Sequence, residues 1–295
     1  MTTADGPGGT PAAPGLPTLA VTGATGRLGG RVARRLAAAG VPQRLVVRDL
    51  SRAPDLPAAT AVAASYGDAE ASRRALGGVR TLFMVSGSES ADRVDQHRTF
   101  IDAATAAGVA HLVYVSFFAA APDATFTLAR DHWATEEHLR AAGPAWTMLR
   151  DNLYADFLPL LAGDDGVIRG PAGTGRVAAV AIDDVADAAV AVLTDPDAHA
   201  GRTYSLTGPR AVTLGEVART LTAAAGRSVT YRDETVEEAF VSRAGHDVPD
   251  WLVRAWVSTY TAIASGELEG VTADVEALTG HPATPLDVLL SRGGA

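Results

Sequence analysis

From Thr18 onward, short β-branched runs alternate with alanine-rich helical stretches, and this alternation constrains the fold more than any other feature of the chain. Strands that run parallel need a crossover between them, and a helix is the usual crossover, so the order implies a parallel sheet covered on both faces. LAVTG, QRLVVRD, TAVAAS, VRTLFMV, HLVYVS and AWTMLR read as six strands. Helices are expected from about Leu28 to Ala39, Ala69 to Leu76, Ala91 to Ala107 and Ala129 to Ala142. Gly40 and Pro42 stop the first, and Gly108 stops the third, whose Val94, His97, Ile101 and Ala104 recur on one face. The expected class is α/β, a doubly wound parallel sheet of the Rossmann type.

The organisation divides into three parts. Residues 1–17, rich in Gly, Pro and Ala, read as a disordered tail; 18–150 form the dinucleotide-binding part; 151–295 form a mixed region that completes the sheet and builds a substrate lobe. In that last region a helix is expected from Asn152 to Leu161, then a Gly-rich stretch from Gly163 to Gly175. A strand and helix follow around Val177 to Leu193, then strand TYSLTG, a helix from Leu214 to Ala225, strand VTYRD and a group of helices.

Composition excludes several functions. A net charge of -9 argues against nucleic acid as a partner, since binders of nucleic acid carry a basic stripe. There is no cysteine for thiol chemistry, and all 25 basic residues are Arg, so no mechanism can use a lysine. No apolar run approaches the roughly 20 residues that span a bilayer, and the N-terminus lacks the pattern of a secretion signal. The expectation is a cytoplasmic protein without a membrane partner, as monomer or homodimer. The seven histidines are scattered singly and give no metal-ligand spacing.

The stretch VTGATGRLG links the first strand to the first helix with Gly23, Gly26 and Gly29 at every third position. A helix N-terminus carries unpaired N–H groups and partial positive charge, and glycines let a pyrophosphate approach them. The alternative is a tight glycine turn with no ligand. At the end of the second strand, VVRD sets Arg48 beside Asp49, with Arg52 close behind. A cation there pairs with the 2′-phosphate of NADP, whereas a carboxylate accepts from the ribose of NAD. NADP(H) is therefore preferred, with NAD(H) left open by Asp49; the bland reading of Arg48 is a solvated surface residue.

TGATGRLG, VVRDLSRA, YGD at 66–68, HRTFIDAATAAGVAHLVYVS, HWATEEHLRAAG followed by WTMLRDN, and LTGHPATPL together resemble the NmrA-like atypical short-chain dehydrogenases. Within them the sequence is most similar to NADPH-dependent quinone oxidoreductases of the second type, over about residues 18–290. The resemblance implies a cofactor held by Gly23, Thr25, Gly26, Arg27, Leu28, Gly29 and Arg48. It places Asp68 near the adenine, Val85, Ser86 and Gly87 along the cofactor, and Ser116 and Phe117 beside the nicotinamide. Asn152 and Tyr154 fall in the family's substrate-facing segment, with helix capping as the other reading of Asn152.

One departure bears on mechanism. The superfamily's usual Tyr, and the Lys four residues later, align here with Leu128 and His132. Reduction of an electron-poor quinone or related conjugated aromatic substrate survives that loss best, because hydride transfer then depends mainly on proximity and orientation. His132 is the expected proton donor or ribose contact, with Ser116 beside it; packing is the other reading of His132. The alternative function is a non-catalytic NAD(P)-binding redox sensor. Trp251, Trp256 and Tyr260 either line an aromatic pocket or fill core, and Asp183–Asp184 is expected to cap a helix.

Overall fold

The computed structural model describes residues 15–293, so most of the expected tail lies outside the described residues. Its last residue, Pro17, is held: the buried Arg44 donates to the carbonyls of Pro17 (3.1 Å), Ala75 (2.6 Å) and Gly77 (2.9 Å).

The chain runs β1 (Leu19–Thr22), α1 (Arg27–Ala38), β2 (Gln43–Val47), β3 (Ala59–Ala63), α2 (Ala69–Leu76), β4 (Thr81–Met84) and α3 (Arg93–Ala106). It continues through β5 (His111–Phe117), α4 (Thr127–Ala142), β6 (Ala145–Asp151), β7 (Val167–Gly170), β8 (Arg176–Val177) and α5 (Ile182–Thr194). Then come β9 (Arg202–Leu206), β10 (Val212–Thr213), α6 (Leu214–Ala225), β11 (Thr230–Asp233), α7 (Val236–Arg243), α8 (Asp250–Ala264), α9 (Asp274–Thr279) and α10 (Leu286–Gly293).

Seven strands form one parallel sheet in the order β3-β2-β1-β4-β5-β6-β9. Successive side chains of a strand point to opposite faces, and the two cores follow that parity. Leu19, Val21, Val113 and Val115 pack beneath α1 and α5, while Ala20, Leu112 and Tyr114 pack beneath α2 and α3. The strand order reverses between β1 and β4, and ligands of such sheets bind at the carboxyl ends beside that reversal.

The later region is interlocked with the first. β9 pairs with β6, Thr147 opposite Arg202 through Asp151 opposite Leu206, and α5 packs on α1. Between β2 and β3, where no helix is expected, there is a single 3-10 turn, Leu50–Arg52; two expectations beyond β6 change. The helix expected over 152–161 is a 3-10 segment, Ala155–Leu161, with Pro159 inside it, a residue that cannot donate to a regular helical ladder. The Gly-rich stretch contains β7, which pairs with β11 in a separate small sheet. No helix among the described residues is long and apolar enough to cross a membrane.

Candidate functional site

At the carboxyl end of β1, Gly23 takes a φ of +65°, a conformation open mainly to glycine, and its carbonyl accepts from Gly26 N–H at 2.8 Å. Gly29 lies against the strand it has just left: a Cβ there would stand 2.6 Å from Thr22 O and would also run into the Gly23 carbonyl. Gly29 thus serves helix-to-strand packing. Thr25, Gly26 and Arg27 are exposed, Leu28 is buried beneath the helix, and no side chain caps α1 nor does any acidic residue occupy its first turn. The bare N–H groups of this helix end, beside a turn shaped by glycine, fit a pyrophosphate. Arg27 also lays its guanidinium over the Phe157 ring, 4.8 Å from the centroid.

At the end of β2, Arg48 and Arg52 are exposed. Asp49 is already engaged: its Oδ1 accepts from Ser51 Oγ at 2.7 Å and Ser51 N at 2.9 Å, bonds that hold its carboxyl below the ordinary range. Asp68 likewise has local work, accepting from Ala71 N at 2.9 Å as the N-cap of α2.

The segment after β4 is fixed by two networks. Val85 N–H donates to Thr22 Oγ1 (2.9 Å), Thr22 and the Tyr66 hydroxyl meet at 2.7 Å, and Tyr66 donates to Val85 O (2.6 Å). Gly87 N–H donates to His97 Nε2 (2.8 Å), so the proton of that neutral ring sits on Nδ1, facing Thr135 Oγ1 at 2.9 Å. Burial pushes His97 down to about 3. Ser86, half-buried, is carried between these anchored neighbours.

Both expected catalytic residues, Ser116 and His132, lie buried. Ser116 is fully buried on the sheet face covered by α4 and donates to Glu136 Oε1 at 2.6 Å. His132 is buried as well, with Nε2 2.8 Å from Arg93 Nη2 and Nδ1 3.0 Å from the Tyr114 hydroxyl. Arg93 can only donate, so Nε2 is unprotonated, and burial first and the charge of Arg93 second hold the ring well below its usual pKa. His132 is therefore a buried, neutral ring held between Arg93 and Tyr114 in this arrangement. Leu128 is core.

At the ends of β5 and β6, Phe117 packs its ring against Phe126 (5.0 Å) and His132 (6.0 Å). Asn152 is buried and caps no helix. Its Nδ2 donates to Leu268 O at 3.0 Å, and its Oδ1 accepts from Leu153 N at 2.8 Å, clasping β6 to the segment after α8. Glu267 in that segment accepts from Thr125 N at 3.0 Å and from its hydroxyl, so the loop after β5 is held too. Tyr154 is half-buried, its hydroxyl bonded to Asp151 and its ring edge-on to Phe157.

Residue-level reasoning missed the polar centre. Glu136, fully buried, takes two bonds from Arg150 (2.8 and 2.6 Å) and one from Arg140 (2.8 Å). Only the Glu136–Arg140 spacing of four was readable as a helical pair. Tyr260 is core, packed against Gly170, while Trp256 meets His246 edge-on. Asp183 and Asp184 do not cap α5. Asp183 pairs with Arg31 and Arg35, and Asp184 holds Thr284. Asp184, Asp187 and His281 do converge, but Asp184 is bonded to Thr284 and Asp187 to Arg35, an arrangement that ties the C-terminal segment to α5.

The comparisons agree with this geometry. Residues 23–196 match the model of a family described as NAD(P)H-binding. The chain is 35% identical to the NAD(P)H azoreductase of Xenophilus azovorans, over 89% of this chain and 93% of that one. It is 34% identical to quinone oxidoreductase 2 of Escherichia coli (strain K12), over 91% and 96%. The crystal structure of the E. coli NADPH-dependent quinone oxidoreductase complexed with NADPH superposes with a TM-score of 0.86, covering 94% of this chain and all of that one, at 33% identity. Citrobacter sp. triphenylmethane reductase complexed with NADP(H) gives 0.83 at 31% identity, over 93% and 99%. With a glycine turn suited to a pyrophosphate at the switch of a parallel sheet and these relatives across nearly its whole length, the chain belongs to the NAD(P)H-binding family of NmrA-like oxidoreductases.

Proposed function

We propose that this oxidoreductase delivers hydride from NADPH to a quinone or a related flat, conjugated acceptor, without the Tyr/Lys pair. The carrying observation is that both positions of that pair are closed: Leu128 is core and His132 is a neutral ring locked between Arg93 and Tyr114. A carbonyl of ordinary reactivity needs strong acid assistance, whereas an electron-poor acceptor needs chiefly to be held against the cofactor. Phe126 and Tyr154, half-buried, and the exposed Phe157 provide aromatic surface near the ends of β5 and β6, with the buried Phe117 packed against Phe126. Relatives are named for azo compounds, quinones and triphenylmethane dyes, all of them conjugated acceptors. The test is consumption of NADPH absorbance on adding simple quinones: a rate that scales with protein and saturates with quinone is expected, and no oxidation of any quinone would sink the reading.

The same reading assigns the cofactor's 2′-phosphate to Arg48, with Gly23, Thr25, Gly26, Arg27, Leu28 and Gly29 around the pyrophosphate, Val85 and Ser86 alongside, and Asp68 toward the adenine. Because Asp49 is bonded to Ser51, the exposed cation is left to select. A charged hydrogen bond is worth about 1.5–3 kcal/mol, so Arg48→Glu should weaken NADPH binding by roughly 10–100-fold and leave NADH nearly unchanged. Equal losses for both cofactors in fluorescence titrations would remove Arg48 from the site.

A further inference from the structure

With Ser116 and His132 occupied in the core, the acceptor still requires a proton for the oxygen that becomes negative. Asp151 ends β6, directly opposite Phe117 in register, and Phe118 N–H donates to its carbonyl at 2.8 Å. Its side chain is only 5% exposed, and it is hydrogen-bonded to the hydroxyl of Tyr154, which is half-buried beside the exposed Phe157. We propose that Tyr154 hands its phenolic proton to the reduced acceptor and that Asp151 is the proton reservoir behind it. The proposal rests on the acceptor class of the preceding subsection.

Three observations support the pair. First, Asp151 stands at the carboxyl end of β6 and accepts from the Tyr154 hydroxyl, whereas the buried Glu136 is taken up by two arginines and Ser116. Second, burial pushes the Asp151 carboxyl up to about 8, so it holds its proton at neutral pH. Third, a buried cation lies close enough to act on the carboxyl. Arg93 is 5% exposed and already shared, its Nη1 3.7 Å from Asp131 and its Nη2 on His132, and its charge also acts on Asp151.

The step balances as follows. As hydride, with its two electrons, reaches the acceptor, the Tyr154 O–H bond breaks and its proton forms the new O–H bond on the acceptor. The Asp151 carboxyl proton moves to the Tyr154 oxygen, so the phenol is never left anionic. NADPH is oxidised, the acceptor is reduced, and water later returns one proton to Asp151. When the carboxyl is protonated it can donate to the phenol oxygen, which frees the phenolic hydrogen to point at the acceptor. The charged and titratable groups that act on the pair are Arg93 from α3, which favours the Asp151 carboxylate, and Asp156 from the 3-10 segment, which opposes ionisation of Tyr154.

The test uses Asp151→Asn and Tyr154→Phe in the full chain. Infrared spectra of the protein without cofactor should show a protonated-carboxyl band at neutral pH that fades as pH passes about 8 and is missing from Asp151→Asn. With saturating NADPH and a simple quinone, parent kcat should fall above the same pH. Each variant should lose on the order of 10²-fold in kcat, the usual scale of general acid catalysis, with KM for NADPH unchanged and the alkaline limb gone. No such band in the parent, or two variants that keep both the parent's kcat within about twofold and its pH profile, would overturn the proposal. A parent inert toward quinones but with the band in place would overturn the acceptor class and leave the reservoir supported.

Discussion

Gly29→Val should abolish measurable NADPH binding and destabilise the protein at once. The added Cβ would lie 2.6 Å from the Thr22 carbonyl, and the Gly23 carbonyl is also in its way. Both obstacles are backbone atoms of β1 and its turn, which no side-chain rotation can relieve. Overpacking of this kind costs about 1–3 kcal/mol, and the branched side chain places it at the upper end. The strain is relieved only by moving α1 off β1, which displaces the N–H groups offered to the pyrophosphate. Losing two such charge-assisted bonds, at about 1.5–3 kcal/mol each, amounts to a loss of more than roughly 100-fold in affinity. Gly26→Ala separates the two effects. A Cβ at Gly26 meets only Gly23 O, at 3.2 Å, and its backbone is extended, so stability should change little while the methyl group crowds the exposed turn. Thermal melts and NADPH titrations of both variants check this; a Gly29→Val protein that binds NADPH like the parent would refute the close-packing account.

Glu136→Ala should be the most damaging single change for stability outside the turn. Glu136 is fully buried, carries the Ser116 hydroxyl, and accepts from Arg150 and Arg140, whose side chains are 19% and 28% exposed. Removing one partner of a buried ion pair leaves the other charge uncompensated, at a cost of about 3–5 kcal/mol. In a protein of this size that corresponds to a fall in Tm on the order of 10 °C. Glu136→Gln retains acceptors and volume and should lose less. The two arginines are partly solvated, so the lower end of the range is the better expectation. A Tm within about 2 °C of the parent would mean that Arg150 finds water on losing Glu136.

These predictions differ in how far their origin was visible in the chain. The turn at Gly23, Gly26 and Gly29 was legible because its requirement is local: a strand, a left-handed glycine and a helix start lie within a dozen residues. The helices 69–76 and 214–225 were legible for the same reason, their boundaries set by Asp68 and by the Thr213–Glu216 capping box. The 3-10 segment at Ala155–Leu161 was misread because its apolar residues imitate a helical face, while Pro159 and the clasp of Asn152 on Leu268 prevent one. Ser116 and His132 were assigned by position in a family pattern, which says nothing of their burial: α4 covers one and Arg93 from α3 holds the other.

Sequence by itself determined the parallel layered architecture, the glycine turn and the cation after the second strand, since hydrophobic period and short-range backbone geometry suffice for each. Tertiary structure alone decided which polar groups are open, which are saturated and which carry a proton. Protonation and access depend on burial and on fields summed over distant elements, as where Arg93 of α3, Asp151 of β6 and Tyr154 come together.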